Sequence, residues 1–534
     1  MPKFSDVTVS YADSCLNIAL DTLEKDKQAL VFVNTKRGAE SQAEKIAQKV
    51  KAANEQESLN RIAEDILSAV QSPTKQCHRL AACVRKGIAF HHSGLNSRQR
   101  ELVETNFRNN AIRIICATPT LAMGMDLPAY RSIIRDLKRY AQGTSWGMAD
   151  IPVLEYEQMA GRAGRPGKES VGEAICIAET PGEKDRIVEK YLLGDPEDIY
   201  SKLAVEPVLR TYVLSLVASG YVSSTESLYA FFDQTFYAWQ YEDTDKLHSI
   251  LDKMVALLAQ WKFIEAPGAA PADGFVVASE IAGGKLEATK LGERVAQLYL
   301  DPYTAHHLLD AIEKGAARNL SLAPFPLLHM LATTIEIRPL LSVRQSEIDA
   351  VDRKLLEEED KLLVKAPSLY SHEYEEFLQT VKTAIFFEAW IDEAGEDVLL
   401  AEYNVTPGEI QAKRNIADWL LHSLVELAKL QGWHSIIGDL EKMRVRLEYG
   451  AREEILPLLR LKGIGRIRAR KLFHNSIRSI EAVKAAEFST LKALIGEAVA
   501  LSIKEQVGQK VTDLAVKRNK RKGQISLGDY KEKE

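Results

Sequence analysis

The chain has 534 residues, 46% hydrophobic and 27% charged, enough for several folded units at roughly 100–200 residues each. No apolar run approaches the ~18 residues of a membrane-crossing helix, and the first residues lack a signal-peptide pattern, so neither a membrane-spanning nor a secreted protein is expected. Five cysteines, sparse and odd in number, argue against a disulfide framework and for a reducing cytoplasm. The net charge of −6 is unevenly spread: residues 451–534 hold 19 basic and 10 acidic side chains, while the first 450 hold 50 and 65. A basic end on an acidic body is a reason to look for nucleic-acid contact at that end.

In chain order, the first ~190 residues read as alternating strands and helices. Ala29–Val33 is a short apolar run ending at Asn34-Thr35, a helix entry, and residues 38–51 follow with helical spacing. Ile112–Cys116, Arg131–Arg135 and Ala174–Ala178 are further buried strands. Apolar strands separated by helices predict a parallel sheet covered on both faces. Cys77-His78 with Cys83 lacks a second ligand pair at zinc spacing and reads as structural, so no metal is expected.

From about residue 195 the pattern turns helical, over 203–218, 226–239 and 245–260. An Ala/Pro/Gly loop at 266–274 and a ribbon around Phe275–Ala278 and Gly283-Gly284 follow. Helices followed by a hairpin suit a winged-helix module over 191–285. Residues 286–445 are almost wholly helical, 446–515 form a smaller helical unit, and the polar, basic tail 516–534 reads as disordered.

The feature richest in chemistry is Gln158-Met-Ala-Gly161-Arg162-Ala-Gly164-Arg165. Two arginines one helical turn apart project from one face, and their planar forks suit phosphate oxygens. Beside a polar Gln158, they are what phosphoryl transfer needs where charge builds on a γ-phosphate. The bland alternative is a solvated basic helix end; the glutamine and the glycines at this spacing favour the functional reading. Near the C-terminus, Leu459–Leu472 carries Gly463 and Gly465 followed by Arg466, Arg468, Arg470 and Lys471. This reads as a helix-hairpin-helix whose turn offers backbone N–H groups to a phosphate, with Ala469 and Leu472 packing the second helix.

Gln-x-x-Gly-Arg-x-Gly-Arg resembles motif VI of superfamily-two helicases, and further motifs lie upstream in the family's order. Phe32–Arg37 resembles motif IV, His91-His92-Ser-Gly94-Leu95 the segment after it, and Ala117–Ala129 motif V. Leu127-Pro128-Ala129 and Ile134-Arg135-Asp136 narrow the resemblance to the Ski-two-like group, and within it to archaeal HelQ-type DNA repair helicases. Thr289–Arg294, Leu298–Pro302 and Ala417–Leu421 extend it into the helical region.

The resemblance implies a multidomain chain. A second RecA-like α/β domain with a parallel sheet (1–190) would precede the winged helix (191–285), a helical ratchet bundle (286–445), a helix-hairpin-helix (446–515) and the tail. It implies ATP-dependent 3′-to-5′ unwinding of forked or branched DNA in repair and replication restart. Arg162, Arg165 and Gln158 would face the nucleotide, with Gly124 and Asp126 coupling its state to closure; Asp126 stands where the family more often has Asn. His92, Gly94, Thr118 and Thr120 would touch the DNA backbone. A hairpin within 136–154 would split the duplex, with Lys138 and Arg139 on phosphate and Tyr140, Trp146 and Met148 at its tip. In the ratchet helix Trp419 would stack a base, and Lys413 or Arg414 would replace the basic group expected near Ala412. Gly463, Gly465, Arg466 and Arg468 would hold phosphate. Gln524, Leu527 and Tyr530 resemble a sliding-clamp peptide.

One departure stands out. The 534 residues hold no Gly-x-x-x-x-Gly-Lys-Ser/Thr loop and no Asp-Glu-x-His/Asp magnesium motif in a strand context; Asp392-Glu393 lies in the helical region. The family keeps both in a first RecA-like domain, so ATP and Mg²⁺ would be bound mainly there, by a partner subunit or a missing segment. The isolated chain is expected not to hydrolyse ATP. A non-catalytic DNA-binding module and a part of a Ski-two-like RNA helicase remain as alternatives.

Overall fold

The computed structural model describes residues 6–50, 56–70, 73–123, 126–140, 148–164, 171–203, 205–241, 243–265 and 285–509. Five short strands form the first unit: β1 (Ala29–Phe32), β2 (Ile88–His91), β3 (Ile114–Ala117), β4 (Arg131–Ile134) and, after a β-ribbon of β5 (Lys138–Tyr140) and β6 (Met148–Asp150), β7 (Glu173–Cys176). Their order is β2-β3-β1-β4-β7, every neighbour parallel. The four strands β1–β4 are buried along their whole length, as expected for a sheet with helices on both faces. Three strands expected from apolar runs are present with ends shifted by one or two residues, as is β7. The strand β2 carries no separate signal in the sequence. Its helices start where short polar side chains can accept first-turn N–H groups: Asp13, Thr35 and Thr74, and Asn96 in a reciprocal cap with Gln99. A buried Arg131 on β4 binds Asp21 at 2.5 Å and Glu173 at 2.6 Å, joining the first helix to the edge strand.

Next come helices Glu206–Ala218, Thr225–Phe232, Phe236–Tyr241 and Thr244–Gln260, then an antiparallel ribbon of β8 (Ile264–Glu265) and β9 (Glu287–Ala288). The ribbon expected around 275–284 lies outside the described residues. Eight helices follow between Lys290 and Tyr449, the longest Pro407–Leu430. These segments and the preceding ones share a contiguous apolar cluster from Leu209 to Leu447, so the boundary expected near 285 falls inside a common core. Arg210 on the first of these helices clamps Asp301 through two bonds of 2.6 and 2.7 Å, both side chains buried. Asp301 also caps the helix Pro302–Ala317, so one carboxylate orders two elements. Residues 451–507 form a third, separate core around Leu458, Ile464, Leu472, Leu491 and Ile503.

Candidate functional site

The connection from β3 to β4, residues 118–130, links the two ends of the candidate site. At its start, the Thr118 amide donates to His91 O at 3.3 Å, and the Thr118 and Thr120 hydroxyls bond each other at 2.9 Å. Thr120 is exposed and Thr118 half-buried, so both hydroxyls lie at the carboxyl ends of β2 and β3, where open sheets receive ligands. At its other end, Ala129 pairs with the arginine segment: Ala129 N–H donates to Arg162 O at 2.9 Å, and Gly164 N–H to Ala129 O at 2.7 Å. Gly164 has φ +95°, and a Cβ on Gly172 would sit 2.2 Å from Gly164 N, so this crossing of two backbones requires both glycines.

Gln158 is exposed in the last turn of the helix Val153–Ala160. Arg162 follows that helix, half-buried; one guanidinium nitrogen donates to Ala122 O, and its Nε is buried with no partner among the described residues. A desolvated donor without an acceptor costs free energy, and an incoming anion relieves that cost. Asp126 is exposed on the same connection; Gly124 and Arg165 lie outside the described residues. A nucleotide phosphate therefore fits the arginine edge. No group of three His, Cys, Asp or Glu suited to a metal ion occurs among the described residues.

The expectation for His92 and Gly94 is corrected by packing. The His92 ring is fully buried, stacked on Phe90, its Nδ1 accepting from the Gly94 amide at 3.1 Å and its Nε2 lying 3.2 Å from Glu40. Gly94 is buried beneath the start of the long helix, and its carbonyl accepts from the Gly408 amide at 3.0 Å. This loop faces the helical bundle. His91 is likewise buried, 2.9 Å from Glu104.

On the β5–β6 ribbon, Lys138 pairs with Asp150 and Tyr140 with Met148. Lys138 and Met148 are exposed, while Arg139 is tied to the buried Glu155 at 2.7 Å. The ribbon's tip, with Trp146, and the Tyr140 side chain lie outside the described residues.

In the long helix, Lys413 and Arg414 are also corrected. Lys413 is buried and donates to Ile337 O and Pro339 O at 3.1 and 2.7 Å. Arg414 donates to the carbonyls of Leu447 and Glu448 and lies over the Trp390 ring at 4.9 Å. Burial lowers the pKa of both. Each satisfies helix-end or loop carbonyls, which leaves the solvent face of the helix to Ala412 and Asn415. Trp419 is half-buried, and its Nε1 donates to Leu298 O at 3.1 Å.

At the C-terminal turn, Gly463 has φ +88° and Gly465 precedes the helix Arg466–His474. Ala469 and Leu472 are fully buried beneath that helix. Arg466 turns inward, donating to Ala394 O and Gly450 O and lying over the Trp390 ring at 4.8 Å. Arg470 is held by Glu393 and Glu454. Arg468, bonded to Gly463 O at 2.8 Å, and Lys471 remain exposed. The basic cluster of the sequence thus divides into a structural half and an outward half. Gln524, Leu527 and Tyr530 lie outside the described residues.

Residues 58–167 match the helicase conserved C-terminal domain, and residues 325–450 match domain 4 of an archaeal helicase. The chain is 38% identical, over 93% of its own length and 65% of the relative's, to an ATP-dependent DNA helicase Hel308 of Methanocella arvoryzae. It is 36% identical to the Hel308 of Methanococcus vannielii, over 95% and 69%. With that of Pyrococcus horikoshii it shares 35% identity over 92% and 66%. The chain thus spans about two thirds of the length of these relatives. By sequence, family domains and parallel-sheet fold, it belongs to the Hel308 family of archaeal DNA helicases.

Proposed function

We propose that this chain is the strand-handling portion of an ATP-dependent 3′-to-5′ DNA helicase acting on forked or branched DNA. The observation that carries the reading is Arg162, whose buried Nε has no partner among the described residues, in the motif that opens at the exposed Gln158. In this reading Arg162, with Arg165, neutralises charge developing on a γ-phosphate that is cradled by a first RecA-like domain outside these 534 residues. ATP supplies the free energy of domain closure, and Mg²⁺ is held in that other domain.

The connection 118–130 then joins nucleotide to DNA: Gly124 and Asp126 on the arginine side, Thr118 and Thr120 offering hydroxyls to the phosphate backbone. The helices of 206–260 with the β8–β9 ribbon act as a winged-helix module. The β5–β6 ribbon enters the duplex junction, with Lys138 on phosphate. Trp419 stacks a base inside the bundle, and the 459–472 hairpin, through Gly463, Gly465, Arg468 and Lys471, holds the emerging strand.

The test uses the chain mixed with the part of the Methanocella arvoryzae relative that it does not span. The mixture should open a duplex with a 3′ single-stranded tail and leave a 5′-tailed one closed. Arg162→Ala should reduce DNA-stimulated ATP hydrolysis by about 10³-fold, the lower range for a transition-state arginine. Equal opening of both substrates, or full hydrolysis by the variant, contradicts the proposal.

A further inference from the structure

The first turn of the long helix Pro407–Leu430 is built into the α/β unit. A helix start leaves N–H groups without intrahelical partners. Here the Gly408 amide finds its acceptor in Gly94 O, at 3.0 Å, on the loop after β2. The approach is so close that a Cβ on Gly408 would lie 2.1 Å from Ser93 O and 2.7 Å from Leu95 O. A Cβ on Gly94 would meet Thr406 Oγ1 at 2.9 Å. Two glycines face each other: a side chain at Gly408 would displace backbone, and one at Gly94 would displace the buried His92 ring and the Thr406 hydroxyl.

Polar contacts flank this crossing. Lys36, in the first turn after β1, pairs with Glu409, whose other oxygen accepts from the Thr406 amide and hydroxyl at 2.8 and 2.6 Å. Burial pushes the Glu409 carboxyl up, but the Lys36 and Thr406 hydrogen bonds outweigh it and hold the group below its usual range. Arg37 donates to Asn404 at 2.7 Å, and the Lys75 amide to Asp397 at 3.1 Å. Behind the loop, the buried His92–Glu40 contact fixes its conformation, with Gln76 and Arg79 holding Glu40 at 2.6 and 2.5 Å. The seam lies one strand from the candidate site: Thr118, which opens the connection that pairs with the arginine segment at Ala129, bonds His91 directly before the loop.

We infer that Gly408, with Gly94 and the Lys36–Glu409 pair, is a positioning device that locks the long helix to the α/β unit. When nucleotide moves that unit, the helix carrying Trp419 moves with it as one body. The inference rests on the helicase reading for its consequence, though the lock itself is a property of this chain alone. It also explains why His92 and Gly94 are buried: this loop holds the strand-stepping helix and leaves DNA contact to Thr118 and Thr120.

Two readouts separate the possibilities. In the chain alone, hydrogen exchange should find the Gly408 amide protected, and Gly408→Ala or Lys36→Glu should release 404–411 while strands β1 to β4 stay protected. In the mixture with the remaining part of the Methanocella relative, both variants should hydrolyse ATP within about twofold of the unmodified chain, yet open about tenfold fewer base pairs per ATP. The Lys36→Glu/Glu409→Lys exchange should recover most of that loss; it also carries the test if Gly408→Ala fails to fold. A Gly408 amide that exchanges like open backbone overturns the lock. Unchanged base pairs per ATP, or equal loss of hydrolysis and unwinding, overturns the coupling. Absence of ATP hydrolysis by the unmodified mixture overturns the helicase reading instead, and the exchange result then stands on its own.

Discussion

Arg162 is placed by two backbone hydrogen bonds, to Met159 and Ala129, beside one glycine crossing, and its guanidinium, held at one nitrogen by Ala122 O, is the part that can respond to a ligand. A planar fork and a point charge differ here: Arg162→Lys keeps the charge but gathers its donors on one nitrogen, losing the fork in which one nitrogen holds Ala122 O while Nε is presented separately. Under the proposed function, Arg162→Lys should therefore lose DNA-stimulated hydrolysis nearly as fully as Arg162→Ala; recovery to wild-type rate in a steady-state assay would remove the geometric argument. Another single residue contributes to acid sensitivity. His329 is wholly buried and bonded to Thr380 at 3.0 Å, and burial, with His307 nearby, pushes its pKa down to about 3. The unfolded chain then binds a proton that the folded chain refuses between pH 6.5 and about 3. Stability should fall with acid across that window, by up to roughly 1.4 kcal/mol per pH unit. Denaturant melts of His329→Gln should show a shallower slope over the same range. At this scale the sequence pointed to the arginine segment because residue types and spacing carry its chemistry. It misplaced His92, Gly94, Lys413 and Arg414, because which way a polar side chain turns depends on what packs against it, here Thr406–Gly408 and the carbonyls of 337–339 and 447–448.

Among the elements, β1, β3, β4 and β7 were legible as apolar runs bounded by breakers. The strand β2 ends where the His91-His92 motif begins, and four residues are too few to show a period. The ribbon after Gln260 was expected, but β8 and β9 flank the segment the sequence suggested. Trp419 belongs to the long helix and, under the proposed function, serves two purposes that mutation can separate. Its indole N–H ties the helix to Leu298, and its ring is half-open. Trp419→Ala should weaken single-strand binding by ~1–3 kcal/mol, the range for one stacked base, while Trp419→Phe keeps most of the binding and loses only the tether. Equal affinity in all three proteins by fluorescence anisotropy would make the ring a packing residue. In the C-terminal hairpin, Leu472→Ala removes a fully buried side chain from a small separate core and should destabilise it by about 2–5 kcal/mol. Arg468→Ala should lower the salt dependence of DNA binding by close to one counterion, whereas the inward-turned Arg466→Ala should act on stability.

For the molecule as a whole, the division of charge survives but changes meaning. The basic end is partly consumed by internal pairs, Arg470 with Glu393 and Glu454, and Arg466 over Trp390, so the outward charge is smaller than the sequence count. Among the described residues three apolar cores support the chain, and the first two are joined by the Gly94–Gly408 seam. The central claim is that these 534 residues carry the arginine edge and the strand-handling parts of a helicase, while the phosphate loop comes from outside them. The most direct measurement is ATP hydrolysis by the purified chain, with single-stranded DNA present, before and after addition of the part of the Methanocella relative it does not span. The account predicts no DNA-stimulated turnover alone and its appearance on mixing, abolished by Arg162→Ala. Robust turnover by the chain alone, or turnover on mixing that is indifferent to Arg162, would contradict it.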